Sequence, residues 1–328
     1  MRPVRHVIVT GGAGFIGSHL VERLLASGKR VIVIDDFSTG SMANLRAVQR
    51  HPRLKIIRSR ISGCARLPAF AANAEFIFHL AATVGVELVV QSALRVLEAG
   101  FHETQILLRA AARHSTPVLL TSTSEVYGKS ARKEFSEEDD LIIGPPNQSR
   151  WSYACSKLTD EFLALAYARE AGLPVIIVRL FNTVGPRQTG RYGMVLPRFI
   201  AAAKANRPLD VFGDGAQTRC FCLVDDAVEA LIRLQRCGSA SGRIFNVGGA
   251  EEVSILDLAR LVIKTLGSKS RVRMVPYSKA YPGHVSGPDH AAFDDMRRRK
   301  PLLEKLRGAA GFTPRTPLRD IIRLTAQS

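Results

Sequence analysis

Short apolar runs recur along the first half of the chain, and helical periodicity fills the gaps between them. Val7-Ile8-Val9-Thr10, Val31-Ile32-Val33-Ile34, Leu54–Ile57, Glu75–Ala82, Val118–Thr121 and Pro174–Phe181 are of strand length and almost wholly apolar. That pattern suits strands covered on both faces, as in a parallel sheet. Between them, Ser18–Ser27 and Ser92–Arg113 place apolar residues at helical spacing, the second through Leu94, Leu97, Phe101, Ile106, Leu107 and Leu108. A further helix opens near Trp151 and runs through Leu158, Phe162, Leu163, Leu165 and Ala166. Strands alternating with helices predict an α/β fold with a parallel sheet between helical layers.

Past Phe181 the pattern shortens. Gly193–Ala205, Pro208–Phe212, the turn Gly213-Asp214-Gly215 and Cys220–Val224 alternate brief elements with loops, which predicts a smaller mixed α/β unit. The expected division is residues 1–182 and 183–328, with a strand near 243–248 returning to the first sheet. Val253–Leu266 reads as a helix whose start, Ser254 to Asp257, resembles a capping box. Lys129–Ser149 is polar and turn-rich, and its acids from Glu134 to Asp140 read as a solvated face.

Composition narrows the class. The 328 residues are 46% hydrophobic, enough for a large core plus a second unit. No apolar run reaches the ~18–20 residues of a membrane span. The opening Met1–Val9 passes directly into a strand, so no signal peptide is expected. Five cysteines, with Cys220-Phe221-Cys222 lacking C-x-x-C spacing, predict reduced structural thiols, no metal site and a cytoplasmic protein. The formal charge of +17 would suit nucleic acid, an anionic membrane or anionic small molecules. No nucleic-acid module is present, so an anionic small substrate is the favoured partner.

Candidate chemistry begins at Gly11-Gly12-Ala13-Gly14-Phe15-Ile16-Gly17, between the first strand and the first helix. Strand, glycine loop and helix form the context of a dinucleotide site, where backbone and helix N-terminus meet the pyrophosphate. The second strand ends in Asp35-Asp36, acids placed to take a ribose diol and repel a 2′-phosphate, which favours NAD. This makes the sheet one of Rossmann type. The small residues of Leu80-Ala81-Ala82 would let the cofactor lie over a strand end, whereas His79 reads as a packed strand residue.

The second candidate is Tyr153 with Lys157, four apart and so on one helix face. An ammonium beside a phenol lowers its pKa and suits it to take a proton from an alcohol. Thr123, in the hydroxyl-rich run Thr121-Ser122-Thr123-Ser124, would bond the same substrate oxygen. By itself the tyrosine–lysine spacing fits a surface pair better; the glycine loop and the hydroxyl-rich strand end reverse the balance toward the catalytic reading.

Together with Arg179-Leu180-Phe181-Asn182 and Gly213-Asp214-Gly215-Ala216-Gln217-Thr218-Arg219, these motifs resemble the extended short-chain dehydrogenase/reductase family, in its nucleotide-sugar branch. The branch includes UDP-sugar 4-epimerases, UDP-glucuronate decarboxylases and 4,6-dehydratases. The resemblance implies a tightly held, recycled NAD and a base, Tyr153, acting on the sugar 4-OH with Lys157 on the nicotinamide ribose. It further implies that Asn182 and Arg219 meet the UDP diphosphate, that Val195, Leu196, Val211 and Phe212 surround the uracil, and that Ser124 and Arg187 lie in the substrate site. Ser124 stands where dehydratases carry an aspartate, and Glu125 matches the decarboxylase pattern. Arg299 matches an arginine beside the sugar ring. The implied activity is UDP-glucuronate decarboxylation to a UDP-4-keto-pentose or UDP-xylose. Alternatives are 4-epimerisation of a UDP-sugar and a catalytically silent NAD-binding sensor or scaffold. The branch also implies a homodimer through Ser92–Arg113 and Tyr153–Ala171. Two departures stand out: Gly100 replaces a usual asparagine, and Arg60-Ile61 replaces an aspartate expected near the adenine.

Overall fold

The structure, a computed structural model, describes residues 5–82, 93–189, 194–276, 279 and 296–327. Its centre is a seven-stranded, all-parallel sheet. In chain order, β1 is His6–Thr10, α1 Phe15–Ala26, β2 Val31–Asp35, β3 Leu54–Arg58, α2 Leu67–Ala72, β4 Ala74–His79, α3 Ala93–Ala112, β5 Val118–Thr123, α4 Ser152–Glu170 and β6 Val175–Leu180. There follow β7 Thr183–Val184, α5 Val195–Lys204, β8 Leu209–Phe212, β9 Thr218–Cys220, β10 Cys222–Leu223, α6 Val224–Arg236, β11 Arg243–Val247 and β12 Glu252–Ser254. The chain ends through α7 Ile255–Leu266, β13 Val272–Val275, α8 Glu304–Ala310 and α9 Leu318–Ala326.

The sheet order is β11-β6-β5-β4-β1-β2-β3. From β1 the chain winds outward through β2 and β3, then crosses back to β4 on the other side. The direction of winding therefore reverses between β1 and β4, and a crevice opens beyond their C-terminal ends. Val9, Val33, Phe78, Leu119 and Val178 face α1, α6 and α8 in one core layer. Ile8, Ile34, Ile77, Leu120 and Ile177 face α2, α3 and α4 in the other. Alternation along each strand feeds both layers, so the strands read as continuous apolar runs.

The expected strands and helices are present with small shifts of their ends. Ser92 and Gly193, expected ends of two helices, lie outside the described residues. Leu80, Ala81 and Ala82 belong to no strand; β4 stops at His79. Val253 and Ser254 are not helical: they pair with β9, and Ser254 caps α7 by accepting from the Asp257 amide at 3.0 Å. The strand near 243–248 is β11, paired in register with β6. The strongly amphipathic α6 was not expected at all; it packs against the same core layer as α1. A third core joins α5, α7 and α9 around Leu196, Phe199, Val211 and Leu258.

Candidate functional site

The glycine loop is built by contacts that exclude side chains. Gly11 has φ of 68°, and a Cβ there would stand 2.7 Å from the Ala81 amide nitrogen. A Cβ on Gly17 would lie 2.1 Å from the Gly11 carbonyl oxygen. The loop thus packs directly on Leu80 and Ala81 at the switch point, while Gly14, Phe15 and Ile16 begin α1. Asp35 closes the loop from below, its Oδ2 accepting from the Ala13 amide and its Oδ1 from the Phe37 amide, both at 2.8 Å. Burial raises its pKa above the ordinary carboxylate value. Lone pairs remain on both oxygens for a diol. Asp36 points elsewhere, to the Ser38 amide at 2.9 Å and Arg60 at 3.5 Å.

Beside Asp35 lies a cleft of about 410 Å³ lined by Phe37, Gly40, Ser41, Met42, Ile56 and Arg58. The Arg58 guanidinium stacks 5.4 Å over the Phe37 ring. Glycine cradle, buried acid and flat-walled cleft in series fit the pyrophosphate, ribose and base of a dinucleotide. His79 is the packed residue expected: fully buried, hydrogen-bonded to Thr10 at 2.8 Å and Thr104 at 3.1 Å, and held at about 3 by burial and by Lys157.

The second half of the site sits beyond β5. The chain turns sharply after Thr123, whose hydroxyl accepts from the Glu125 amide at 3.2 Å. Tyr153 comes in from the first turn of α4 and hydrogen-bonds Thr123. Lys157 follows one turn later, 4% exposed, with its Nζ 2.9 Å from Asp160 Oδ2. This corrects an expectation. The ammonium is neutralised by Asp160, and the Tyr153 phenol is not lowered but raised, by burial first and then by the negative charges of Glu125 and Asp160.

Glu125 is the hub of a cationic cluster. It receives Arg150 at 3.1 Å on one oxygen and Arg299 at 2.5 Å on the other. Burial alone would raise its pKa, but Arg299, Arg150 and Arg219 together hold it at about 2. Arg299 arrives from 174 residues downstream (299 − 125). The segment carrying it pairs with the loop after β5: Phe135 donates to Lys300 and Leu302 to Phe135, at 2.8 and 2.9 Å. That loop is itself anchored. Glu137 is buried and accepts from the Asn246 amide at 2.7 Å, while the Asn246 side chain takes Tyr127 and gives to Phe135, both at 2.8 Å. The expectation of a solvated acidic face therefore fails at Glu137, because β11 supplies a buried donor. Arg150 was not anticipated; its position three residues before Tyr153, stacked 4.5 Å over Trp151, was the available signal.

Other expected residues divide. Arg219 is buried and donates to the Thr218 and Met296 carbonyls at 2.7 and 2.8 Å, close enough to Glu125 to act on its charge. Ser124 is buried at the turn. Asn182, at φ of 33°, donates to the Cys220 carbonyl at 2.9 Å. Arg187 turns to α1, where Glu22 takes it at 2.8 Å. Leu196 and Val211 are fully buried in the third core and present no surface to a base. Val195 and Phe212 stay partly exposed, and Arg198, also unanticipated, stacks 4.1 Å over Phe212. Cys220 and Cys222 are buried thiols whose pKa burial raises, Cys220 to about 12. Among the described residues no His, Cys, Asp and Glu cluster could hold a metal.

A dinucleotide crevice at a winding reversal, with a tyrosine, a lysine and a threonine at its edge, leaves few families to compare. The model of the NAD dependent epimerase/dehydratase family matches residues 7–248. The chain belongs to this family. Among the family's curated members, a UDP-N-acetyl-alpha-D-glucosaminuronate decarboxylase of Bacillus cytotoxicus is 38% identical, over 98% of this chain and 97% of that one. UDP-glucuronic acid decarboxylase 4 of Arabidopsis thaliana is 35% identical, over 97% of this chain and 67% of its own length. Of solved family structures, UDP-glucuronic acid 4-epimerase from Bacillus cereus, complexed with UDP-glucuronic acid and NAD, superposes with a TM-score of 0.86. It is 27% identical, with 98% of each chain covered. The cofactor is NAD, and the cradle described above fits it.

Proposed function

We propose that the protein is an NAD-dependent UDP-glucuronate decarboxylase. The observation that carries this reading is the Glu125 carboxylate set between Arg150 and Arg299, close beside the Thr123–Tyr153 pair. A cationic pocket next to a base for an alcohol suits a sugar bearing both a hydroxyl and a carboxylate. Both curated relatives named above are decarboxylases of uronate sugars, which supports the same choice.

In this mechanism Tyr153 takes the 4-OH proton while Thr123 holds the same oxygen. Bound NAD supplies a hydride acceptor at C4, later a donor, and a cationic ring that favours the phenolate. Lys157 orients the nicotinamide ribose. The resulting 4-ketone is a β-keto acid, so the bond from C5 to the carboxylate breaks, carbon dioxide leaves, the electron pair is delocalised onto the ketone oxygen as an enolate, and C5 then takes a proton from water to give the 4-keto-pentose. Arg299 and Arg150, aimed by Glu125, meet the carboxylate and the developing charge. Glu125, held at about 2 by its arginines, enters the reaction as a carboxylate. Arg219 and Asn182 are assigned to the diphosphate, and Val195 and Phe212 to the uracil.

Incubation with UDP-glucuronate should release carbon dioxide and yield a UDP-4-keto-pentose or UDP-xylose by mass spectrometry. A parallel incubation with UDP-N-acetylglucosaminuronate reads the preference at C2. Conversion to UDP-galacturonate without loss of carbon dioxide would replace this reading with 4-epimerase. Binding of NAD without turnover of either would replace it with a sensor. The enzyme is further proposed to be cytoplasmic, with its five cysteines reduced, and homodimeric. Leu94, Leu97 and Phe101 on α3 and Phe162 on α4 leave an exposed apolar face, 65% and 64% exposed at Leu94 and Phe162, that a second copy would cover.

A further inference from the structure

Lys157 and Asp160 form an ion pair inside the fold, 2.9 Å apart, with side chains 5% and 1% exposed. A lysine and an aspartate one turn apart on a helix surface are screened by water and worth little. Out of water, such a pair is costly to assemble and costly to break. The cost here is larger still, because Asp160 Oδ1 is buried without a hydrogen-bond partner. The fold does not need Asp160 to hold α4 down. Its neighbour Glu161 does that, taking Arg179 through two nitrogens and Ser122 through one oxygen, so that α4, β5 and β6 are tied together. Among the described residues, Asp160 has its hydrogen bond with Lys157.

An ammonium has three donors, and Asp160 takes one. That contact fixes where Nζ sits and leaves two donors for a ligand. It also places a negative charge near the phenol. Tyr153 feels Asp160 from its own helix, and Thr123 and Glu125 from the turn after β5, while Lys157 is paired with Asp160. Around Glu125 stand Arg150, Arg219 and Arg299. From β4, His79 faces Lys157 and stays neutral between Thr10 and Thr104. Of the charges on α4, then, Asp160 acts on the phenol, and its partner is Lys157.

Resting on the reaction proposed above, we infer that Asp160 is a positioning residue: it aims the Lys157 ammonium at the cofactor and, by neutralising it, sets how readily Tyr153 releases its proton. The two roles separate by substitution. Asp160→Asn keeps the size and an acceptor but removes the charge. The acid limb of kcat/KM should then move down by about one pH unit, the size expected for a neighbouring charge, with NAD affinity nearly unchanged. Asp160→Ala removes charge and acceptor together. It should show the same displaced limb and bind NAD about tenfold more weakly, as expected for the loss of a charged hydrogen bond that orients the ligand-binding group.

Both variants are measured as holoenzyme for the pH profile and by calorimetry for NAD, with thermal melting as the folding control. A limb at its wild-type position in Asp160→Asn overturns the proposal, as does unchanged NAD affinity in a folded Asp160→Ala. Should Asp160→Ala fail to fold, the limb of Asp160→Asn decides alone. Should no UDP-uronate be turned over, the proposed reaction fails first. Asp160 is then tested by ultraviolet titration of the phenol, subtracting Asp160→Asn/Tyr153→Phe from Asp160→Asn, where an unmoved Tyr153 transition overturns it.

Discussion

A tyrosine four residues before a lysine invites the reading that the ammonium readies the phenol. The charges run the other way: Lys157 is paired with Asp160, and burial with the charges of Glu125 and Asp160 keeps the phenol protonated. In the proposed mechanism Tyr153 would therefore rely on charge brought in with the cofactor. Tyr153→Phe should lower kcat about 10²–10⁴-fold, the usual contribution of a positioned base, with little change in NAD affinity by calorimetry. Glu125 is the opposite case, an acid whose pKa is depressed by its arginines. Its contribution to stability is complete above the ordinary carboxylate pKa of 4.5 and is lost as pH falls toward about 2. His79 is depressed as well, and for a histidine this means that the unfolded chain binds the proton first. Stability should fall as pH drops below 6.5, the loss continuing toward about 3. Chemical denaturation across that range should show the slope, and His79→Gln should flatten it while costing about 1–3 kcal/mol at pH 7 through the hydrogen bonds to Thr10 and Thr104.

At the scale of elements, the packing of α3 on α4 bears on one departure from the family pattern. A Cβ on Gly100 would stand 2.5 Å from Ser156 Oγ. That oxygen ends a rotatable side chain, so a side chain at position 100 has to turn the hydroxyl away from the Val96 carbonyl it faces at 3.5 Å. Gly100→Ala should destabilise the protein by no more than about 1 kcal/mol, the cost of one displaced hydrogen bond. In a Ser156→Gly background, with the obstructing hydroxyl gone, the same change should become neutral or stabilising by up to about 1 kcal/mol, because alanine costs less than glycine in a helix. Denaturant midpoints of the four proteins of this cycle check both signs. The elements of the large sheet were legible because strands covered on both faces leave unbroken apolar runs. The helix α6 was not. Its start, Val224-Asp225-Asp226, follows directly on a strand, and Cys220–Val224 reads as a single extended run until β9 and β10 are seen to pair with different partners.

For the whole molecule, the surplus of positive charge and the exposed apolar face make separate predictions. The formal charge of +17 and the arginines around Glu125 should make KM for a UDP-uronate rise with ionic strength, while kcat changes little. Steady-state kinetics from about 0.05 to 0.5 M salt would show it, since the Debye length shortens severalfold over that span. Phe162→Arg should convert the proposed dimer to monomer in sedimentation velocity at micromolar concentration. A dimer that survives this change would exclude the α3–α4 face.

Local chemistry sufficed for part of this protein. Gly11 to Gly17, Asp35, Thr123, Tyr153 and Lys157 each lie within a strand, its adjoining turn or one turn of helix, and short-range sterics and periodicity dictate such geometry. The tertiary structure decided the rest. It brought Arg299 across 174 residues (299 − 125) to Glu125 through the pairing of Phe135 with Lys300 and Leu302. It sent Arg187 to Glu22, sealed Leu196 and Val211 in a core, and placed Asp160 against the lysine it neutralises. Charge partners and burial depend on which distant segments meet, and residue spacing along the chain carries little of that information.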